Sequence, residues 1–450
     1  MWKDIKTMSK EEIESELENL KKVRQISSKV TVRKILDEEL DLSPLKEVNL
    51  TIAANGALYH RVQGFLPQIM QNLYDERKAY KKKMLAAENE YEKNPSKKLE
   101  KDISKFNNIQ MARKIQLNSA YGAIGNQHFR YFKLANAEAI TLSGQVSAQW
   151  IEDRMNKYLN KLLDTESLDY VIASDTDSIY INLGPLVNKL FGPKTDNTAK
   201  IVNVLDKICA EQLEPFIDKN YQKLADYVSA YKQKMQMKRE CIAERGIWTA
   251  KKRYILSVWN SEGVSYLDSG YKLKIKGIEA IKSSTPAPCR KMLKDSFHIL
   301  LKGTETDAIE YIEKCRSEFL KLTPEEIAFP RSASDVVKWK SSSTIYSKGT
   351  PIHVRGALLF NHYVKENNLD RKYSLIQNGE KIKYIYLKKP NIIRENVFSF
   401  IQDFPRELGL DKYIDYDLQF EKSFLEPLKT ILNCIGWSHE KTINLDSFFT

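Results

Sequence analysis

No apolar run in this 450-residue sequence approaches membrane-spanning length. The longest, such as residues 170–173, are a few residues long, against the ~20 a helix needs to cross a bilayer. Residues 1–12 contain no apolar core of the kind a secretory signal requires. Cysteine is sparse and scattered: Cys209, Cys241, Cys289, Cys315 and Cys434 lie far apart, with no CxxC spacing. That pattern excludes a disulfide framework and a cysteine zinc site, and it fits a reducing compartment. Internal repeats and low-complexity blocks are also missing. With 42% hydrophobic and 29% charged residues, the chain is neither collagen-like nor fully disordered. Its length suggests about two to four domains. What it has in excess is positive charge: 71 Lys and Arg against 59 Asp and Glu, a formal net of +12. Such a balance suggests a polyanionic partner, with a solvated basic surface as the plain alternative.

Residues 1–48 are charged, helix-friendly and poor in Gly and Pro, and 11–21 predict an exposed helix capped by Ser9. Residues 50–53 and 57–59, split by Asn55-Gly56, predict a short hairpin, because Asn-Gly favours the positive φ of tight turns. Pro67 opens a long helix marked by Ile69, Leu73, Tyr80 and Met84. Asn94-Pro95-Ser96 breaks it, and a second helix runs over 97–121 to a stop at Gly122. Together they predict an antiparallel helical hairpin whose inner faces carry much of the basic charge. Residues 135–163 are again helical. The β-prone runs 170–173 and 179–181 flank a polar five-residue turn, 174–178. Helical segments over 198–231, strands over 248–259 and 264–278, a helix over 292–322 and a Ser/Lys/Gly loop over 338–350 follow. The change of character places a domain boundary near Thr285.

Five constellations could carry chemistry. Asp175 and Asp177 flank Thr176; in extended backbone both carboxylates point the same way and repel unless a cation sits between them, which magnesium does with hard oxygen ligands. An ordinary polar turn is the alternative. Lys114, Asn118 and Tyr121 share one helix face, followed by Gly122; this set suits a nucleotide, or simply an amphipathic helix with a snorkelling lysine. Arg77, Lys78, Lys81, Lys82 and Lys83 form a basic run in which Arg77 and Lys81 repel across one turn, a repulsion that a triphosphate would relieve. Lys251-Lys252-Arg253-Tyr254 falls on a predicted strand, alternating Lys251 and Arg253 with Lys252 and Tyr254. It could track a phosphate backbone or protect a sheet edge. The tail carries Leu445, Phe448 and Phe449, which could dock in a partner's apolar pocket or fold back on their own domain.

In this order, these residues resemble family B DNA polymerases, most closely the replicative enzymes of large tailed phages. Lys114…Asn118-Ser119-Ala120-Tyr121-Gly122 is similar to the fingers motif Kx3NSxYG, Asp175-Thr176-Asp177-Ser178 to the palm motif DTDS, and Lys251-Lys252-Arg253-Tyr254 to the KKRY element that holds the primer-template. The tail resembles a sliding-clamp tether. The resemblance covers roughly residues 50–450 and implies an α+β right hand lacking the exonuclease and N-terminal domains, with an incomplete antiparallel palm sheet, a two-helix fingers hairpin and a mixed helical thumb. On that pattern, 1–48 is a charged helical segment, 49–66 and 127–285 are palm, 67–126 fingers, 286–442 thumb and 443–450 the clamp-binding tail.

The resemblance implies DNA-directed deoxynucleotidyl transfer. Asp175 and Asp177 would hold two magnesium ions. Arg77, Lys81 and Lys114 would clamp the incoming deoxynucleoside triphosphate, Asn118 would line its pocket, and Tyr121 and Gly122 would pack on the nascent base pair. Lys251, Lys252, Arg253 and Tyr254 would hold primer-template DNA, Leu445, Phe448 and Phe449 the sliding clamp, and Glu240 is an auxiliary carboxylate candidate. No membrane is involved, and the implied location is the cytoplasm, that of the host cell for a phage-encoded chain. Two departures matter. Ser174 stands where family members have glycine, and the palm motif in which Ser-Leu-Tyr-Pro-Ser follows a metal-bridging aspartate has no counterpart here. With its initial methionine and foldable first segment, the chain is therefore expected to be the C-terminal subunit of a split enzyme that works with a separate N-terminal polymerase chain. The alternative is a non-catalytic DNA- and clamp-binding remnant.

Overall fold

Capping chemistry starts the first helix. In the computed structural model, which describes residues 8–192, 197–341 and 343–440, Ser9 and Glu12 form a reciprocal capping box: the Glu12 amide donates to Ser9 Oγ at 3.1 Å and the Ser9 amide to Glu12 Oε2 at 2.9 Å. Helix α1 (Lys10–Ser27) is followed by α2 (Val32–Leu36) and α3 (Pro44–Glu47). The early segment is therefore helical, as its composition predicts. It is also packed: Val23, Leu42 and Leu45 are buried with Leu50 and Ile52 of strand β1 (Leu50–Ile52). β1 pairs antiparallel with β2 (Leu58–His60) through the Asn55-Gly56 turn. Gly56 has φ +81, and a Cβ there would run into the Ser27 carbonyl oxygen, so the turn accepts only glycine. Ser27 Oγ also donates to the Gly56 carbonyl at 2.7 Å.

The predicted helical hairpin is present as α4 (Phe65–Lys93) and α5 (Lys97–Ile124). Pro67 sits in the first turn of α4, where its missing N–H has no intrahelical partner to lose. At the tip, Ser96 Oγ accepts from the Leu99 amide at 3.3 Å and caps α5. Tyr91 to Glu100 at 3.0 Å, Tyr80 against Phe106 at 6.3 Å between ring centroids, and Arg113 to Glu76 at 2.7 Å tie the two helices along their length. Gly122 is not the stop that composition suggests: α5 continues one turn further and is capped by Gly125.

The chain divides into two compact units, Met1–Ile242 with Val258–Tyr271, and Ala243–Ser257 with Lys272–Thr450. In the first, α6 (Leu134–Leu163) is the central element. Its Trp150, Ile151, Met155 and Leu159 are buried against Ile35, Tyr170 and Val171, and against Ile217, Tyr221 and Leu224. These last three lie on α9 (Glu214–Tyr227), which follows α7 (Gly184–Phe191), α8 (Thr198–Ile208) and a π-helical turn, Cys209–Leu213. Besides β1–β2, this unit holds a second two-stranded antiparallel sheet, β3 (Val171–Asp175) with β4 (Ser178–Ile181).

Strands β5 (Cys241–Ala250), β6 (Arg253–Ser261), β7 (Val264–Ser265) and β8 (Lys272–Lys276) form a four-stranded sheet in which β6 pairs with β5, β7 and β8. In the second unit, α10 (Ala287–Lys302) and α11 (Glu305–Phe319) replace the single helix predicted over 292–322. Thr304 starts a new capping box with Asp307 directly after Gly303, so the helix restarts rather than continues. Short helices α12 (Pro324–Ile327) and α13 (Val336–Trp339) lie on either side of strand β9 (Phe329–Ser332). After α14 (Ile352–Glu366), β10 (Lys381–Tyr386) and β11 (Val397–Phe400) complete an antiparallel sheet of order β11-β10-β9. Its core joins Leu293 and Phe297 to Phe360, Phe398, Phe400, Phe420 and Phe424. Two more short helices, α15 (Tyr416–Phe420) and α16 (Glu426–Cys434), close the described chain. No described helix is long and apolar enough to cross a membrane, and all five cysteines are free thiols.

Gly277, one residue past β8, has φ +70, and a Cβ there would collide with the Lys252 carbonyl oxygen. Gly277→Ala is expected to destabilise the chain by about 1–3 kcal/mol. A lowered urea midpoint at unchanged slope would report it; an unchanged midpoint would show that the β5–β6 turn yields freely.

Candidate active site

The β3–β4 hairpin is too small to be stable alone, since two strands bury too little, and α6 supplies what it lacks. Asn156 of α6 accepts from the Tyr170 and Val171 amides at 2.9 and 3.0 Å and donates to Asp169 Oδ1 at 2.8 Å. Val171, Ile179 and Ile181 pack inward, while a register irregularity between Val171 and Ala173 leaves Ile172 50% exposed.

The turn is tighter than the sequence suggests. Asp175 pairs with Ser178, so Thr176 and Asp177 alone reverse the chain. The expectation of extended backbone through Asp177 is therefore corrected: Thr176 has φ +61, and the Asp177 amide donates to the Asp175 carbonyl at 2.7 Å. The two carboxylates share one end of the hairpin because of the turn, not because of strand alternation. A β-branched residue at positive φ costs about 1–3 kcal/mol and persists only where its surroundings hold it. Thr176 Oγ1 donates to Asp175 Oδ1 at 3.1 Å and Ser178 Oγ to the Asp175 carbonyl at 3.2 Å. Asp175 is half-buried and Asp177 exposed. Beneath them, burial pushes the Tyr221 phenol up to about 12, and the negative charges of Asp177 and Asp218 add to the shift.

These donors are all hard oxygens: two carboxylates, two hydroxyls and a carbonyl. That is a set magnesium accepts when waters and substrate phosphates complete its shell. Among the described residues, no group of three or more His, Cys, Asp or Glu side chains is gathered for a metal. The residues present thus fit a divalent ion that takes its remaining ligands from elsewhere.

The hairpin of α4 and α5 carries the second set. The Arg113–Glu76 pair puts the next residues, Lys114 and Arg77, at the same level of the two helices. Lys114 and Asn118 are exposed, and Tyr121 is 41% exposed. Arg77 is half-buried, and its Nε is shielded without a hydrogen-bond partner. Lys81 is ion-paired with Glu262. A Cβ at Gly122 would meet no atom of the chain within 4 Å, so nothing internal to the fold requires glycine there.

The third set lies in the other unit and differs from expectation. Lys251 and Lys252 are not on a strand but form the two-residue turn between β5 and β6, with Lys252 at φ +63, so strand alternation does not apply to them. Both are exposed. Arg253 makes a bidentate pair with Glu279, at 3.1 and 2.6 Å, and Tyr254 is 2% exposed against Trp248, 6.1 Å away between ring centroids. Glu240 is exposed just before β5, and its carbonyl accepts from the Glu262 amide at 2.8 Å. Leu445, Phe448 and Phe449 lie outside the described residues.

Sequence reading missed Asn156, Tyr221, Glu262 and Glu279, because each acts on a partner far away in the chain and has no motif of its own. Glu279 holds the base of the Lys251-Lys252 turn. Burial alone would push its carboxyl up, but hydrogen bonds from Arg253 and Lys282 outweigh that and hold it below the ordinary 4.5. A depressed carboxyl stabilises the fold above its unfolded pKa, and the gain is lost as pH falls through the folded value. Glu279→Gln should therefore be about 1–2 kcal/mol less stable at neutral pH. The gap to the parent should close as pH drops below 4.5. Urea unfolding across a pH series checks this; a pH-independent gap would mean that the Glu279 charge contributes nothing.

Comparison with known proteins gives the site its context. The chain is 35% identical over 353 residues to the DNA-directed DNA polymerase of Escherichia phage RB69, a match covering 76% of this chain and 38% of that protein. It is 33% identical over 362 residues to the corresponding enzyme of Enterobacteria phage T4, covering 78% of this chain and 40% of that one. A DNA polymerase of Thermococcus gorgonarius matches at 22% over 382 residues, 84% of this chain and 40% of the relative. The chain thus spans about two fifths of the length of these relatives. A family model for DNA polymerase family B matches residues 16–435. That match takes in both helices of the α4–α5 hairpin, the Asp175–Asp177 turn and the Lys251-Lys252 turn, and the chain belongs to DNA polymerase family B.

Proposed function

We propose that this chain is the C-terminal polymerase part of a DNA-directed DNA polymerase, adding deoxynucleotides to a primer 3′-hydroxyl on a template in DNA replication. The observation that carries the reading is the Asp175–Asp177 turn: a strained reversal that gathers two carboxylates, in a chain of this family. Asp175 and Asp177 would hold two magnesium ions, which supply the positive charge that favours attack by the primer hydroxyl and departure of pyrophosphate. Arg77, Lys81 and Lys114 clamp the triphosphate, Lys114 as an exposed point charge. Asn118 lines the nucleotide pocket, and Tyr121 with Gly122 packs on the nascent base pair. Lys251 and Lys252 reach the primer-template from their turn, which Arg253 and Tyr254 hold from beneath. In this reading residues 67–126 are fingers, 49–66 and 127–285 palm, and 286–442 thumb, and the tail with Leu445, Phe448 and Phe449 meets a sliding clamp.

The phage relatives are about twice as long, and the Asp175–Asp177 turn offers two carboxylates where two-metal transfer uses a further bridging one. We assign the remaining palm aspartate to an N-terminal polymerase part that these 450 residues do not contain, supplied in the test as a separate N-terminal polymerase chain. Magnesium-dependent primer extension tests this, with the chain alone and with a co-expressed exonuclease-plus-palm chain. Silence alone and synthesis together are expected, and synthesis alone would sink the assignment of that aspartate to residues outside this sequence. DNA binding without synthesis in either case would favour the non-catalytic alternative.

Two substitutions sharpen the test. Asp177→Asn should lower the synthesis rate by at least roughly 10²–10³-fold without lowering the unfolding midpoint, because the side chain is exposed. Gly122→Ala should stabilise α5 by about 0.5–1 kcal/mol yet raise the KM for nucleotide. A variant with normal KM would show that no ligand approaches that helix face.

A further inference from the structure

Glu262 stands where turn chemistry asks for another residue. It and Gly263 connect β6 to β7 across the Ser261–Val264 pair, with φ +50 and +90. Such a turn favours Asn, Asp or Gly at both central positions, so turn chemistry by itself does not account for a glutamate there. The turn is braced on both sides: the Glu262 amide donates to the Glu240 carbonyl at 2.8 Å, and the Gly263 amide to Asn260 Oδ1 at 3.1 Å. Asn260 is in turn held by Arg239 at 2.6 Å. From this mount the Glu262 carboxylate pairs with Lys81 of α4, the two side chains being 28% and 30% exposed. Further along α4, Ser269 Oγ donates to Glu92 Oε2 at 3.1 Å. Among the described residues of the run Arg77, Lys78, Lys81, Lys82 and Lys83, Lys81 is the cation with a carboxylate partner.

We propose that Glu262 is a positioning residue that occupies Lys81 in the nucleotide-free chain and is displaced by the incoming triphosphate. The inference rests on the reading of Lys81 as a triphosphate contact. A carboxylate and a polyphosphate cannot both sit against one ammonium without repelling each other, so nucleotide entry exchanges one anion for the other. While Glu262 holds Lys81, α4 is braced against the β6–β7 turn; when the triphosphate takes Lys81, that brace is released. The pair therefore sets nucleotide affinity by competition and couples nucleotide entry to the freedom of the helical hairpin.

Titration of the full chain with a fluorescent dATP analogue and magnesium tests the exchange. Glu262→Gln should bind roughly two- to fivefold tighter, the scale of a partly exposed ion pair, while Lys81→Gln binds more weakly and abolishes the gain in the double variant. Charge-matched Glu90→Gln should leave affinity unchanged, and an equal gain there would overturn the competition. Weaker or unchanged binding by Glu262→Gln, with Lys81→Gln still impaired, would overturn this inference and leave the triphosphate site standing. Indifference of both Lys81→Gln and Arg77→Gln would sink the site itself and the exchange with it. Amide hydrogen exchange without nucleotide reads the brace independently: Glu262→Gln should speed exchange over residues 78–85 by about two- to fivefold, and unchanged rates would refute the brace.

Discussion

Two carboxylates one residue apart repel, and a fold that keeps both at the head of one hairpin must hold them there. The β3–β4 ribbon cannot do so alone. Its position comes from Asn156 on α6, which takes up the Tyr170 and Val171 amides, and from a core in which Trp150, Ile151 and Met155 lie behind the strands. The left-handed Thr176 is the visible consequence. Strain of that kind survives because α6 and α9 are themselves committed to a buried core, so the turn cannot relax without disturbing them.

The excess of positive charge acquires meaning only once its cations are sorted by partner. Arg253 is spent on Glu279 and Lys81 on Glu262, whereas Lys114 and Lys251 stand exposed. The first pair is structural: it fixes the turn from which Lys251 and Lys252 project. The second joins a basic helix to a hairpin turn and is open enough to be exchanged. A net charge says that polyanions are welcome, but the placement of carboxylates decides which cations can meet them.

Much was readable from local chemistry. Ser9 with Glu12, Asn55-Gly56, the break at Asn94-Pro95-Ser96 and the long α6 all lie where capping, turn and proline rules put them. These features depend on neighbours within a few residues, which is why composition and spacing reveal them. Elsewhere the chain follows a different nearby residue or turns where spacing predicts a strand. Gly125 ends α5 in place of Gly122, Thr304 restarts a helix after Gly303, and Lys251-Lys252 turn although they sit amid β-prone residues.

By itself, the sequence determined the residue types, their order and the local turns: the motif carboxylates, the basic run, the helix pair and the family to which they belong. Tertiary structure alone decided which of those residues are exposed and which are taken up in the core or in ion pairs. Asn156 reaches the strands from fourteen residues away, Glu262 reaches Lys81 across 181, and Tyr254 becomes core while its neighbour Lys252 remains exposed. The physical reason is that burial and ion pairing are settled by where distant segments meet, and no local spacing encodes that meeting.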